Sequence, residues 1–410
     1  MFRKLLTLKE AQTVLYQNFS PKSVGIERVL LLNAYGRICA EDVKASVDVP
    51  PFHRSTVDGY VVRAEDTFGA EEDKPITLKV IGKAQVGQLT AIKIAPNTTV
   101  EIATGAPLPK GGDAVVMFEN TIRKNSTLKV YRAVAKGENV MKAGSDIRHG
   151  DVLLKKNQTI TPPLIGALAA TGATEITVFK RPKVAVISTG GEVQEPGKPL
   201  PPGRIYDINA YTLTAAVSEC GCEPVYFGIV PDDFEDLKKT LRKALASADV
   251  VVTSGGVSVG PKDLMPKVLN GLGKPGVIIC GIAVKPGKPT TIAVVEGKPV
   301  FALPGHPTSA LLIFHILAKP VLFAMAGWIK EPEHMRVEAV AGERIFSARG
   351  RRTFVTVNLV QDKSGETRAF PVATGQSGAI TTLAKAEGFI EIDEQTQFVD
   401  EGEKVTVHLF

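Results

Sequence analysis

The chain has 410 residues, 44% of them hydrophobic and 22% charged, and a formal net charge of +6. That length exceeds one ordinary core, so roughly two to four domains are expected, and the composition excludes a disordered chain. The modest charge, with no Lys/Arg run interleaved with aromatics, speaks against nucleic acid and for an anionic small molecule as partner.

The first residues carry early positive charge, but lysines and polar residues break up any apolar signal core, so the chain reads as a mature cytoplasmic protein. Apolar runs read as shorter than the roughly 18 residues that span a bilayer, so no membrane partner is expected. Residues 7–19, "TLKEAQTVLYQNF", begin on a Thr cap and space Leu8, Ala11, Leu15 and Phe19 as one helical face. A second short helix is predicted over 32–40. From 43 to about 145 come short β-like runs ("ITLKVIG", "TTVEIATG", "DAVVMFEN", "TLKVYRAV") punctuated by Gly and Pro, which predict a mostly β module. Within 181–325 apolar runs alternate with amphipathic helices: "KVAVIS", "VYFGIV", "DVVVTSG" and "PVFALPG" each lead toward a helix. That alternation predicts a doubly wound, mostly parallel α/β sheet. After Trp328 the runs "FVTVNLV", "FIEID" and "KVTVHLF" predict a small C-terminal β domain. Cys39, Cys220, Cys222 and Cys280 match no zinc spacing and are expected to be packed thiols.

Three loops of the α/β segment stand out: "STGGEV" (188–193), "TSGGVSVGPKD" (253–263) and "LPGHPTSA" (303–310), each expected just before a helix. Ligands of open α/β sheets sit at the carboxyl ends of the strands. Glycines there let backbone N–H groups approach an anion, and helix N-termini favour negative charge. The spacing is neither a GxxxxGK[ST] loop nor a GxGxxG fingerprint, which disfavours an ordinary NTPase or dehydrogenase. Glu192, Asp232, Asp233 and Asp263 stand in or beside these loops. Helix capping accounts equally well for Asp232 and Asp233, whereas Glu192 and Asp263 suit a Mg²⁺ bridging to ligand phosphates. "VKPGKPT" (284–290) holds Lys285 and Lys288 on a turn stiffened by two prolines, suited to one oxyanion. In the β module, "PPFHRSTVDGY" (50–60) and "IATGAPLPKGGDAVV" (102–116) present His53, Arg54, Asp58 and Thr104.

Together with "GENVMKAGSDI", these motifs stand in an order that resembles the molybdopterin molybdenumtransferases, the MoeA family that includes the E domain of gephyrin. The resemblance spans roughly residues 5 to 410. It implies four domains: 1–25 plus 181–328, a molybdopterin-binding α/β domain; 26–43 plus 146–180, an elongated linking domain; 44–145, the inserted mostly-β domain; and 329–410, the C-terminal β domain. It implies a homodimer with the cleft between the α/β domain of one subunit and the β module of the other. The implied reaction inserts molybdate into adenylylated molybdopterin, with Mg²⁺, hydrolysis of the adenylate and release of AMP. A molybdopterin adenylyltransferase is the implied partner. By motif, Asp58, Thr104, Asp146, Glu192, Asp232 and Asp263 fall on catalytic positions, with Glu192 and Asp263 toward the metal. Gly190, Ser254, Gly255, Gly256, Ser258, Gly260, Pro304 and Gly305 are candidates for the pterin substrate. Lys285, Lys288, Ser309, Arg351 and Ser377 fall where the family holds molybdate. Three positions depart from the usual pattern: His53 and Gly191, where acidic residues are common, and His306, where Asn is frequent. Two alternatives stay open: a non-catalytic pterin-binding scaffold, and the same reaction with tungstate.

Overall fold

A computed structural model of the chain describes residues 5–257, 264–329, 335–372 and 380–410. The described residues divide into two compact units. One comprises residues 1–27, 36–40 and 177–410, and the other residues 28–35 and 41–176.

The first unit opens on helix α1 (Leu8–Asn18), which buries Leu8, Ala11 and Leu15. Thr7 and Glu10 form a reciprocal capping box at its start, satisfying N–H groups that have no partner within the helix. Each fully buried leucine on that stripe contributes about 1.5–3 kcal/mol. The backbone just ahead of α1 joins the fold through Ala283 N–H, which donates to Leu6 O at 2.7 Å.

The main sheet has six strands: β1 (Lys183–Thr189), β2 (Glu223–Val230), β3 (Val250–Ser254), β4 (Pro275–Cys280), β5 (Thr291–Val295) and β6 (Lys298–Leu303). Their order is β2-β1-β3-β6-β5-β4. β2, β1, β3 and β6 run parallel, and β5 and β4 are added antiparallel. Helices α2 (Asn209–Glu219), α3 (Phe234–Ser247), α4 (Met265–Asn270) and α5 (Pro307–Ile313) alternate with the strands. Alternate strand residues face opposite cores: Val184, Val186, Val250 and Val252 pack with α1, α2 and α5, while Ala185, Ile187 and Val251 pack with α3 and α4. Burial on both faces is why the parallel strands read as continuous apolar runs.

Three expectations need correction. Residues 32–40 are not a helix: Leu31–Asn33 make a single 3₁₀ turn, Leu32 is 90% exposed, and Gly36 turns the chain at φ +69. "STGGEV" does not run into a helix but into a two-residue strand, Val193–Gln194, paired in parallel with Ile205–Tyr206, and α2 starts only at Asn209. The apolar runs are also not all short. Pro307–Ala326 continues from α5 through a π-helical turn at Phe314–Ala318 into helix α6 (Lys319–Met325). By length and composition this 20-residue stretch could cross a membrane, but most of it is buried in the protein, where it serves as a core helix.

C-terminal strands Arg352–Gln361, Thr367–Pro371, Arg336–Ala341, Lys404–Leu409 and Gly388–Ile392 follow one another in the sheet, and the first also pairs with the last. The small β domain is therefore closed on itself. Val284–Lys285 adds to it in parallel beside Arg352–Thr353. In the second unit, a six-stranded sheet orders Ala114–Met117, Gly59–Val62, Thr98–Ile102, Ile76–Ala84, Thr127–Val130 and Thr121–Lys124. Cys220 and Cys222 are packed in the first core, and burial, then the charge of Asp249, pushes the Cys222 thiol up to about 12 despite Arg181.

His315, on the π-turn, is 9% exposed and its Nδ1 lies 3.3 Å from Lys319 Nζ. Burial, reinforced by the Lys319 charge, holds the imidazole down to about 3. The unfolded chain binds this proton below about 6.5, whereas the native state refuses it until far lower. Stability is thus fully present above the unfolded value and falls as pH drops toward the folded one, by up to roughly 1.4 kcal/mol per unit. We expect urea midpoints to fall on acidification below about pH 6.5, and His315→Leu to flatten that limb. An acid limb identical in both proteins would contradict this.

Candidate functional site

The carboxyl ends of β1, β2, β3 and β6 share one rim of the sheet, and the loops that leave them are held by close backbone packing. Gly255 and Gly256 take φ +88 and +64, conformations that a side chain disfavours. A Cβ on Gly255 would stand 2.4 Å from Thr189 O, so the β3 loop is seated directly on the end of β1. Asn209, at the start of α2, bridges two loops: its Nδ2 donates to Ser254 Oγ at 2.6 Å and to Gly305 O at 2.7 Å. Ser254 in turn donates to Pro304 O at 3.3 Å. Asp207 fixes the helix start by accepting Ala210 N–H at 3.0 Å and the Tyr226 hydroxyl at 3.2 Å. Asn209, Asp207 and Tyr226 lie outside the motifs singled out above. "YDIN" carries a capping signal, but nothing in it announces a bridge to loops some 45 and 96 residues away.

Two carboxylates border these turns. Glu192 folds back so that its carboxylate oxygens lie 2.8 Å from the point where a Gly190 Cβ would be, and Asp232 Oδ1 lies 3.6 Å from the equivalent point on Gly256. Partial burial, and then the negative charge of Glu192, push the Asp232 carboxyl above its ordinary range. Asp233 is spent on a cap, accepting the N–H groups of Glu235 and Asp236 at the head of α3. Ser188 Oγ, Asn209 Oδ1 and Thr308 Oγ1 are buried at the same rim with no hydrogen-bond partner among the described residues. Such groups suit a ligand or ordered water that completes their bonding. Among the described residues no group of three or more His, Cys, Asp or Glu is arranged as a metal cage. Asp263, Ser258, Gly260 and Ser377 lie outside the described residues.

Of the predicted oxyanion residues, Lys285, Lys288, Ser309 and Arg351 are described, and they stand on elements that meet one another. Lys285 and Lys288 are exposed and make no ion pair among the described residues. Between them Gly287 is buried at φ +108, and a Cβ there would stand 2.4 Å from the Ile313 side chain. Ser309 lies one helical turn before Ile313, so it shares the α5 face that meets the lysine turn. Lys285 pairs with Thr353, two residues after Arg351, while Arg352 donates its N–H to Ala283 O at 3.2 Å. Arg352 is committed to Glu391 and Glu394, whereas Arg351 is exposed.

In the second unit, Asp58 Oδ1 accepts the backbone N–H of Thr104 at 2.7 Å and its hydroxyl at 3.1 Å. Gly59 has no room for a side chain, since a Cβ would stand 2.0 Å from Val116 O. His53 Nδ1 accepts Ala143 N–H at 2.9 Å and Gly144 N–H donates to Pro50 O at 2.9 Å. These bonds sew the 50–60 segment to the loop that carries exposed Asp146. His53 thus supplies an acceptor, and Arg54 donates to Met141 Sδ at 3.2 Å.

Comparison with known proteins decides the family. The model described as "MoeA N-terminal region (domain I and II)" matches residues 6–172, "Probable molybdopterin binding domain" matches 185–324, and "MoeA C-terminal region (domain IV)" matches 338–410. The chain belongs to the MoeA family. A molybdopterin molybdenumtransferase of Haemophilus influenzae is 34% identical over 410 residues, covering 99% of each chain. Its counterpart in Bacillus subtilis is 34% identical over 93% of this chain and 89% of its own. Among solved structures, a molybdopterin biosynthesis MoeA protein from Pyrococcus horikoshii superposes with TM-score 0.87 at 44% identity over 99% of both chains. A second from that organism gives 0.81 at 31% identity over 99% of this chain and 100% of its own. The fold is therefore the MoeA-type multidomain one, with an α/β molybdopterin-binding domain and a small C-terminal β domain.

The raised Asp232 carboxyl yields a prediction. Its charged form is disfavoured in the folded state, so a destabilising contribution is present above the ordinary carboxylate range and disappears as pH falls through the raised value. Asp232→Asn should raise thermal stability at pH 7 by less than about 1 kcal/mol, since solvent screens this exposed group. The advantage should vanish in acid. A variant less stable than the parent at pH 7 would contradict the carboxylate repulsion.

Proposed function

We propose that the chain is a molybdopterin molybdenumtransferase of molybdenum cofactor biosynthesis, inserting molybdate into adenylylated molybdopterin and releasing AMP. The observation that carries this reading is the separation of charge. Glu192 and Asp232 border the glycine turns at the strand ends, while Lys285 and Lys288 are exposed on their own turn with no ion pair among the described residues. Glycine turns and helix starts can cradle the pterin phosphate through backbone N–H groups. Hydrolysis requires a water oxygen to bond to a phosphorus of the anhydride while the bridging P–O bond breaks, leaving AMP and the pterin phosphate. Asp232, held above the usual carboxylate range, is the residue proposed to take the proton from that water. Asp58, oriented by Thr104, and Asp146 are proposed as catalytic residues contributed by the β module.

The Glu192 carboxylate is the kind of donor Mg²⁺ takes, since that ion is commonly held by one or two carboxylates together with substrate phosphates. Glu192 would hold it, with Asp263 as the second proposed ligand. Bound there, it would neutralise charge developing on the phosphates. Lys285, Lys288, Ser309, Arg351 and Ser377 are proposed to hold the molybdate substrate. We further propose a cytoplasmic homodimer with the cleft shared between subunits, the four-domain division set out above, and an adenylyltransferase as supplier of the substrate.

The test incubates purified protein with adenylylated molybdopterin, Mg²⁺ and molybdate and follows AMP. AMP release dependent on molybdate is expected. Release with tungstate alone would change the metal, and binding without release under either oxyanion would favour a scaffold. Lys285→Ala combined with Lys288→Ala should raise the molybdate concentration required by roughly tenfold or more, as expected for losing charge-assisted contacts, with pterin affinity kept. An unchanged molybdate dependence would remove the role of these lysines.

A further inference from the structure

Away from the strand-end rim, a cavity of about 350 Å³ lies between the last turn of α1 and helix α6. Its volume falls within the roughly 300–1,000 Å³ range of small-molecule sites. The reaction proposed above makes no use of it.

The wall on α6 follows from the sequence. Pro320 has no N–H to donate to Ile316 O, so a regular α-helix is interrupted at this point. The chain takes the π-turn at Phe314–Ala318 instead, and α6 begins afresh at Lys319. Such turns are rare and recur at functional sites. Lys319 and Phe323 then stand one helical turn apart on one face, with the ammonium 5.5 Å from the ring centroid. Pro320 and Ala324, the neighbouring pair on that face, line the same space.

Aromatic rings supply most of the remaining surface. Trp328 packs on Phe323 with centroids 5.1 Å apart and planes tilted by 37°. Tyr16, half-buried on α1, faces the cavity from the other side. Exposed Arg336, at the start of strand Arg336–Ala341, adds a second cation.

The charge of this lining has one sign: Lys319 and Arg336 contribute to it, and among the described residues no carboxylate does. Lys319 is only 2% exposed, a depth that lysines almost never reach without compensation. Its ion pair with half-exposed Glu219 is long, 3.7 Å from Nζ to Oε1. A second polar neighbour, His315 Nδ1 at 3.3 Å, belongs to a ring that burial keeps neutral. A buried cation gains more from a closely bound anion than an exposed one does, because less solvent screens the pair.

We propose that this cavity binds a small aromatic acid, a planar ring system carrying a carboxylate, at a site separate from the rim. The ligand ring packs among Tyr16, Phe323 and Trp328 in the offset or edge-on arrangements that aromatic groups favour. Its carboxylate meets Lys319, with Arg336 as the second cation.

Trp328 is the chain's single tryptophan, so its emission reports from the cavity wall. The test titrates the full chain with para-nitrobenzoate, whose ring quenches tryptophan on contact. para-Nitrobenzyl alcohol and para-nitrobenzylammonium serve as neutral and cationic arms. Saturable quenching by the carboxylate is expected, with the alcohol bound about tenfold more weakly and the ammonium not at all. Lys319→Met keeps the length of the side chain and removes its charge, and should weaken para-nitrobenzoate about tenfold. Ala324→Phe fills the cavity without touching either cation. It should abolish saturable quenching while the melting temperature stays close to the parent's. If Lys319→Met unfolds, Ala324→Phe and the three arms still decide. Quenching that rises without saturation, equal affinity for the alcohol, or either variant folded and binding as the parent does would each overturn the proposal.

Discussion

The carbonyl oxygen of Thr189 stands 2.4 Å from where a side chain on Gly255 would begin, and the organisation of the rim follows from that approach. The loop leaving β3 can pass this close to the end of β1 only because its first residue has no Cβ and takes a positive φ. With β1 and β3 paired in the sheet, the β3 loop is seated on the end of β1, Asn209 spans from Ser254 to Gly305, and the β6–α5 loop joins the same rim. Backbone packing and the Asn209 bridge thus bring the ends of β1, β3 and β6 to one place before any catalytic side chain is considered.

Electrostatics then divide the first unit. The strand ends carry Glu192 and Asp232, close enough that one raises the proton affinity of the other. The lysine turn carries Lys285 and Lys288 and is anchored by buried Gly287 against Ile313. Like charges held near one another are costly in a folded protein and persist where a ligand of opposite charge resolves them. Phosphates with a divalent cation would relieve the carboxylates, and an oxyanion would relieve the lysines. This pattern suits a reaction that brings a phosphoanhydride and a metal oxyanion to one substrate.

Much of this was legible in the sequence, for definite reasons. Helix α1 announces itself because a Thr cap, a Glu three residues later and an apolar stripe all agree. The parallel strands are legible because burial on both faces removes the polar alternation. β4 and β5 were not assigned: "VIIC" and "TTIAVV" are short apolar runs whose partners are set by tertiary pairing, not by local pattern. Residues 32–40 mislead because Leu32 and Tyr35 mimic a helical face while standing exposed, and Gly36 ends the turn. Within the candidate site, glycines and charged residues show in the sequence, but Asn209 does not, because its role exists only once α2, β3 and β6 share a rim. The nearness of Arg351 to Lys285 comes from the register of two strands more than sixty residues apart, which no local pattern displays.

The proposed chemistry occurs where the parallel strands end. Amide hydrogen exchange with and without adenylylated molybdopterin, molybdate withheld, addresses it most directly. Protection is expected at residues 189–193, 228–232, 254–257 and 304–306, with little change along β4 and β5 at the other edge of the sheet. Protection confined to β4 and β5, or to the outer face of the C-terminal β domain, would contradict it.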